Sequence, residues 1–83
     1  MHTEYKTKGT CSTQIALDID GGIIQSVVFK GGCNGNLQGI ARLVEGMDAR
    51  AAAQKLRGIK CGFRGTSCPD QLAQAIEQAL SAE

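Results

Sequence analysis

Alternation of apolar and polar residues is clearest over Gln14-Ile15-Ala16-Leu17-Asp18-Ile19-Asp20. Ile15, Leu17 and Ile19 share one face there, and Gln14, Asp18 and Asp20 share the other. That is the period-two pattern of a half-buried strand. Asp20-Gly21-Gly22 then signals a tight turn, because glycine reaches the positive φ angles that short hairpins need. Ile23 to Phe29 is β-branched and mostly apolar, and reads as the second arm of the hairpin. Before it, Tyr5 to Thr10 mixes large, polar and basic residues and predicts a short edge strand.

The period changes after Phe29. Lys30 to Asn36 is a glycine-rich loop, and a helix is predicted from Asn36 or Leu37 with the stripe Leu37, Ile40, Ala41, Val44 and Met47. Gly46 marks its left-handed end. Asp48 is a suitable N-cap for a helix over 49–57, with Ala52, Ala53 and Leu56 inward and Gly58 as its stop. Ile59 to Gly65 reads as a loop or a very short strand. A last helix opens at Ser67 or Cys68, with Pro69 and Asp70 in its first turn and Leu72, Ala73, Ile76, Ala79 and Leu80 facing inward. Pro69 lacks an N–H that would be orphaned there, and Asp70 complements the positive end of the helix dipole. Strands followed by helices predict a single α+β domain over 1–83: a small antiparallel sheet, hairpin plus edge strand, packed in two layers by about three helices. One sheet face is left partly bare, so a homodimer through the sheet or its edge is expected.

Composition sharpens this picture at two points. The chain has 83 residues with no Trp, two Phe and one Tyr, so its 42% apolar content is rich in Ala and the core is thin. A chain of this size buries only about 60–65% of its extended surface, and small domains with thin cores usually add disulfides, a metal or a partner subunit. Four cysteines are therefore a candidate staple. The net charge of +1 argues against nucleic acid held by bulk electrostatics. Met1-His2-Thr3-Glu4-Tyr5 leads into charged sequence with no basic-then-apolar leader, and no apolar run has the length of a membrane span. A cytoplasmic setting is expected, where thiols stay reduced and serve as metal ligands or reactive groups more often than as a disulfide framework.

Cys33 and Cys68 share one situation, each just before or within the first turn of a predicted helix. Unpaired N–H groups and the dipole favour a thiolate there. Cys11 enters the first long strand and Cys61 precedes Gly62; either could equally be a small buried hydrophobe. Four readings follow. A four-cysteine metal site would take zinc by default and an iron–sulfur cluster second, although the spacings C-x21-C, C-x27-C and C-x6-C contain no C-x2-C knuckle. A redox dithiol would pair Cys61 with Cys68, since the intervening residues can loop back to about 5.5 Å between Cα atoms. A nucleotide- or flavin-phosphate site would use Gly31, Gly32, Asn34, Gly35 and Asn36, with Lys30, Lys60 and Arg64 supplying charge; the run matches neither common phosphate-loop motif. In the fourth reading the thiols only fill the core of a partner-binding domain.

Other chemistry is thin. His2 is the only histidine, in a terminus expected to fray, so no Cys–His pair is available. Ser12, Ser26, Ser67 and Ser81 lack a histidine base, and Asp18 and Asp20 read as the solvent face of a strand. Hydrolysis is not expected.

Thr66-Ser67-Cys68-Pro69-Asp70 spells TSCPD, and here the chain resembles the TSCPD domain family, in particular its small stand-alone members with four cysteines. The matching segments are KTKGTCS at 6–12, GGCNGNLQGIARLVEGM at 31–47 and GIKCGFRGTSCPDQLAQA at 58–75. The family's four cysteines fall on Cys11, Cys33, Cys61 and Cys68, so the resemblance implies that they act as a set. Related domains sit at the C-terminal end of ribonucleotide reductases, notably cobalamin-dependent ones. Eighty-three residues cannot build the barrel that such a reductase needs. The resemblance therefore implies at most an accessory module that docks on a reductase or another protein. The resemblance leaves the metal, redox and nucleotide readings open; the preferred one is zinc held by all four cysteines, with Gly32, Gly35 and Gly62 letting backbone approach the sulfurs and Lys60 or Arg64 offsetting the thiolate charge.

Overall fold

The turn Gly21-Gly22 joins the second and third strands of a three-stranded antiparallel sheet in the order β1 (His2–Lys6), β2 (Ser12–Asp20), β3 (Ile23–Gly31). The computed structural model describes residues 1–10, 12–32, 34–62 and 65–81. Three helices follow, α1 (Asn34–Val44), α2 (Ala49–Leu56) and α3 (Cys68–Ser81). Gly21 and Gly22 both take positive φ, 60° and 79°. Two consecutive left-handed residues are what a two-residue hairpin turn demands, and only glycine adopts them without steric cost.

Ile15, Leu17 and Ile19 of β2 point into the core with Ile24 and Val27 of β3, Ala41 and Val44 of α1, Ala52 and Ala53 of α2, and Leu72 and Ile76 of α3. Ile24 and Val27 can share that face because the strand carries an extra residue. Asp18 pairs with Ser26 and Ile19 with Ile24, so Gln25 bulges out between them. The opposite sheet face is a polar ladder: Lys6, Gln14 and Lys30 form one row, and His2, Asp18 and Ser26 another, with Glu4, Ala16 and Val28 between. Asp18 Oδ2 accepts a 2.8 Å hydrogen bond from the Ser26 hydroxyl, and Asp18 Oδ1 lies 2.9 Å from His2 Nδ1. These contacts hold the Asp18 carboxyl below its ordinary range and raise the His2 imidazole.

Three expectations change. The edge strand is His2–Lys6 and not Tyr5–Thr10, because its partners are Gln14 to Asp18 and His2 lies opposite Asp18. The N-terminus is accordingly tied into the sheet and not frayed; the Met1 amino group donates to Ile19 O at 2.7 Å. α1 starts at Asn34, two or three residues early, since Gly31 and Gly32 at φ 76° and 79° complete the change of direction before it. Elsewhere the punctuation is as expected: Asp48 caps α2 by accepting from Ala51 N at 3.0 Å, and Gly46 and Gly58 follow α1 and α2 with φ of 87°. No helix among the described residues is long and apolar enough to cross a membrane.

The turn yields a first expectation. A Cβ on Gly22 would meet nothing within 4 Å, so a substitution there is felt through the backbone alone. Gly22→Ala should lower stability in urea unfolding by about 1 kcal/mol and Gly22→Asn by less. Equal stability of all three proteins would show that the turn does not need a left-handed residue.

Candidate functional site

Thr66 to Asp70 is built as a helix entry around a buried carboxylate. Ser67 Oγ accepts the N–H of Asp70 at 3.1 Å, and Ser67 O accepts that of Gln71 at 2.8 Å. Pro69 has no N–H to satisfy, so serine and proline together deal with most of the donors a helix start leaves open. The Ser67 hydroxyl in turn donates to Ile59 O, which draws the preceding loop onto the helix.

Asp70 does something other than face the helix dipole from solvent. Only 6% exposed, its carboxylate accepts from the Gly58 N–H at 2.7 Å, from Gln74 Nε2 at 3.0 Å and from the Thr66 hydroxyl. The Thr66 hydroxyl and the Gly58 amide, against the cost of burial, hold its carboxyl below the ordinary value, with smaller help from Gln74 and the Arg57 charge. A buried carboxylate survives as an anion only where hydrogen bonds replace its hydration. Here those bonds join the end of α2, the turn before α3 and α3 itself.

The neighbouring residue extends the network to the sheet. Gln71 is buried, its Nε2 donates to Thr66 Oγ1 at 3.0 Å, and its Oε1 accepts the Lys8 N–H at 3.0 Å. The β1–β2 connection is also folded on itself, because Thr7 and Thr10 both donate to Ser12 O. Its close approach to the α3 entry explains Gly9: at φ 72°, a Cβ there would stand 3.2 Å from Thr66 Cγ2.

Ser12 completes the arrangement. Ser12 pairs with Gly31 and Gln14 with Lys30, so Thr13 is an extra residue and β2 bulges. Strict alternation inward from Ile15 would turn Ser12 outward; the bulge turns it in, where it is 3% exposed. Its Oγ then lies 3.2 Å from Sγ of Cys68, itself only 8% exposed, and 3.1 Å from Thr10 Oγ1. The start of β2, the end of β3 and the first residue of α3 therefore meet at one pole of the molecule.

Of the four cysteines singled out by the sequence, Cys68 lies at this pole. Cys61 is exposed in the loop before it, and its N–H donates to Thr66 O at 3.2 Å, which closes that loop. Cys11 and Cys33 lie outside the described residues, as does Arg64. Among the described residues no group of three or more His, Cys, Asp and Glu is gathered as metal ligands would be. In the glycine loop, Gly31 and Gly32 are exposed and left-handed, but Asn34, Gly35 and Asn36 belong to the first turn of α1 and not to a loop. The helix N-terminus of the phosphate-cradle reading thus falls at Asn34, inside the glycine run. Lys30 and Lys60 are exposed.

Sequence reasoning missed Asp70, Gln71 and Gln74 as one buried network, and Ser12 as the contact of Cys68. The available signal was in α3: Gln74 follows the adjacent pair Asp70 and Gln71 by one turn, amid the buried Leu72, Ala73, Ala75 and Ile76.

The depressed Asp70 sets a pH expectation. Its ionised form is favoured by folding, so its stabilisation is fully present above the ordinary carboxyl value near 3.8 and is lost as pH falls from there through the lower folded value. Asp70→Asn should cost on the order of 2–3 kcal/mol at neutral pH, the scale of hydrogen bonds to a charged group, and should flatten the acid limb of the stability profile. A variant with the wild-type acid limb would show that Asp70 does not carry it.

Comparison with known proteins gives one family. The model of the TSCPD domain matches residues 1–80, from before β1 to all but the last residue of α3. Neither the curated proteins nor the solved structures contain a match. Thr66 to Asp70, the residues that spell the family's name, are those that anchor α3 and order the pole around Cys68. The chain belongs to the TSCPD domain family.

Proposed function

We propose that this domain is a small four-cysteine metal module, with Cys11, Cys33, Cys61 and Cys68 as ligands and zinc as the metal. The observation that carries the reading is the buried contact between Ser12 Oγ and Cys68 Sγ. Ser12 is the chain neighbour of Cys11, and its cross-strand partner Gly31 precedes Cys33 by two residues. Cys61 joins from the other side of the loop closed on Thr66. Four thiolates suit zinc, and structural zinc in small peptides contributes apparent binding energies of about 10–16 kcal/mol. That is the right scale for a core whose fully buried residues on α2 are all alanine. A hydroxyl at the sulfur of Cys68 fits the habit of metal sites to hold their ligands by outer hydrogen bonds.

The family's general association with ribonucleotide reductases supports an accessory role beside such an enzyme, in the cytoplasm.

Elemental analysis of protein purified without chelator tests the proposal. We expect one zinc per chain, lost to the same degree in Cys11→Ser and Cys68→Ser, and a melting temperature lowered by a strong chelator. Metal-free protein whose melting ignores chelator would overturn it. So would a thiol count showing a Cys61–Cys68 disulfide, or a coloured sample holding flavin or iron in place of zinc.

A further inference from the structure

The two edges of the sheet are not alike. β1 presents His2, Glu4 and Lys6 along its exposed side, the charged residues that keep an edge from pairing with another chain. β3 carries one charge, Lys30, in nine residues. Its outer edge is already used at one end. Gly46 N donates to Ile24 O at 2.8 Å, Ile24 N to Met47 O at 3.0 Å and Ala49 N to Gly22 O at 2.8 Å, so the α1–α2 connection pairs with β3 as far as Ile24. Beyond Ile24, no backbone hydrogen bond among the described residues reaches that edge.

Beside the open part lies a hollow of about 190 Å³ lined by Val27, Val28, Phe29, Leu37, Gln38 and Ala41. A second hollow, bordered by Arg42 and Glu45, adjoins it through Val27, Gln38 and Ala41. The floor is apolar and the rim polar, the layout of a small interface. Val28, in the middle of the open stretch, is 54% exposed.

We propose that β3 pairs through this edge with β3 of a second copy of the chain, antiparallel about a two-fold axis at Val28, to form a six-stranded sheet with the helices of both copies on one side. The strand is self-complementary in that register. Val28 faces Val28 of the second copy, Phe29 faces Val27, and Lys30 faces Ser26. Apolar residues meet on both sheet faces and no like charges are opposed. The same operation on β1, centred on its middle residue Glu4, would set Glu4 against Glu4 of the second copy. A homodimer gives a thin core the extra burial that small domains commonly draw from a partner. The pairing does not depend on the metal reading, because no cysteine among the described residues lines the edge.

Analytical ultracentrifugation of the full chain at about 100 μM, a concentration that would reveal a micromolar dimer, tests this. We expect the dimer mass for wild type and at least a roughly tenfold weaker association for Val28→Lys, which sets two ammonium groups together at the axis. Val28→Cys should cross-link under mild oxidation into a disulfide-bonded dimer well beyond any formed by wild type in the same treatment, since directly opposed residues lie within disulfide reach. Monomeric wild type, a Val28→Lys dimer of unchanged affinity, or no excess cross-link from Val28→Cys would each overturn the pairing. All three are read alike with and without chelator, so they fail separately from the metal proposal.

Discussion

The buried carboxylate of Asp70 is the constraint on which the rest of the molecule turns. An anion with 6% exposure has lost most of its hydration, and it is tolerated because three donors converge on it. Meeting that demand fixes where the chain goes. Gly58 must place its N–H against α3, and its left-handed φ lets the chain turn there straight out of α2. Thr66 must stand one turn before Asp70 with its hydroxyl inward. Gln74 must stay beside it, where it also meets Tyr5 of β1. In a core in which alanine does much of the packing, the fully buried large side chains are few: Ile15, Leu17, Ile19, Ile24, Leu72 and Ile76. Each contributes about 1.5–3 kcal/mol, and a polar network that locks helix to helix supplies the specificity that such a core lacks.

The second consequence runs from Asp70 to the pole of the molecule. Gln71 reads the same Thr66 hydroxyl and hands its other end to Lys8 N, so the β1–β2 connection is bound to the α3 entry. The Thr13 bulge then turns Ser12 inward onto Cys68. A one-residue insertion in a strand thus decides which side chain meets the sulfur. Ser12, next to Cys11 in the chain, is brought to the first residue of α3, and its strand partner Gly31 leads to Cys33 two residues on; the proposed metal site is built on that arrangement.

Much of the fold was legible in the residues. Gly21-Gly22 located the hairpin, alternation located the inward face of β2, and Asp48, Gly46 and Gly58 punctuated the helices where expected. What was hidden has physical reasons. Ser12, Thr13 and Gln14 are all polar, so a shift of one residue leaves no trace in the hydrophobic pattern and the bulge cannot be seen. The paired Ile23-Ile24 and Val27-Val28 mask the second bulge in the same way. β1 has Tyr5 as its one large apolar side chain, too little alternation to set its bounds. Asp70, Gln71 and Gln74 look like helix surface until the surrounding Leu72, Ala73, Ala75 and Ile76 are seen to be buried as well. Of the site, the importance of the Thr66–Asp70 stretch could be read from its helix-entry residues, whereas its partners Ser12, Lys8 and Gly58 are distant in sequence and no local pattern links them.

The central claim is that the cysteine-bearing segments converge on one centre. The most direct measurement is X-ray absorption at the zinc edge of the purified protein. The account predicts a shell of four sulfur atoms at about 2.3 Å. A shell of oxygen and nitrogen, or one with only one or two sulfurs, would contradict it.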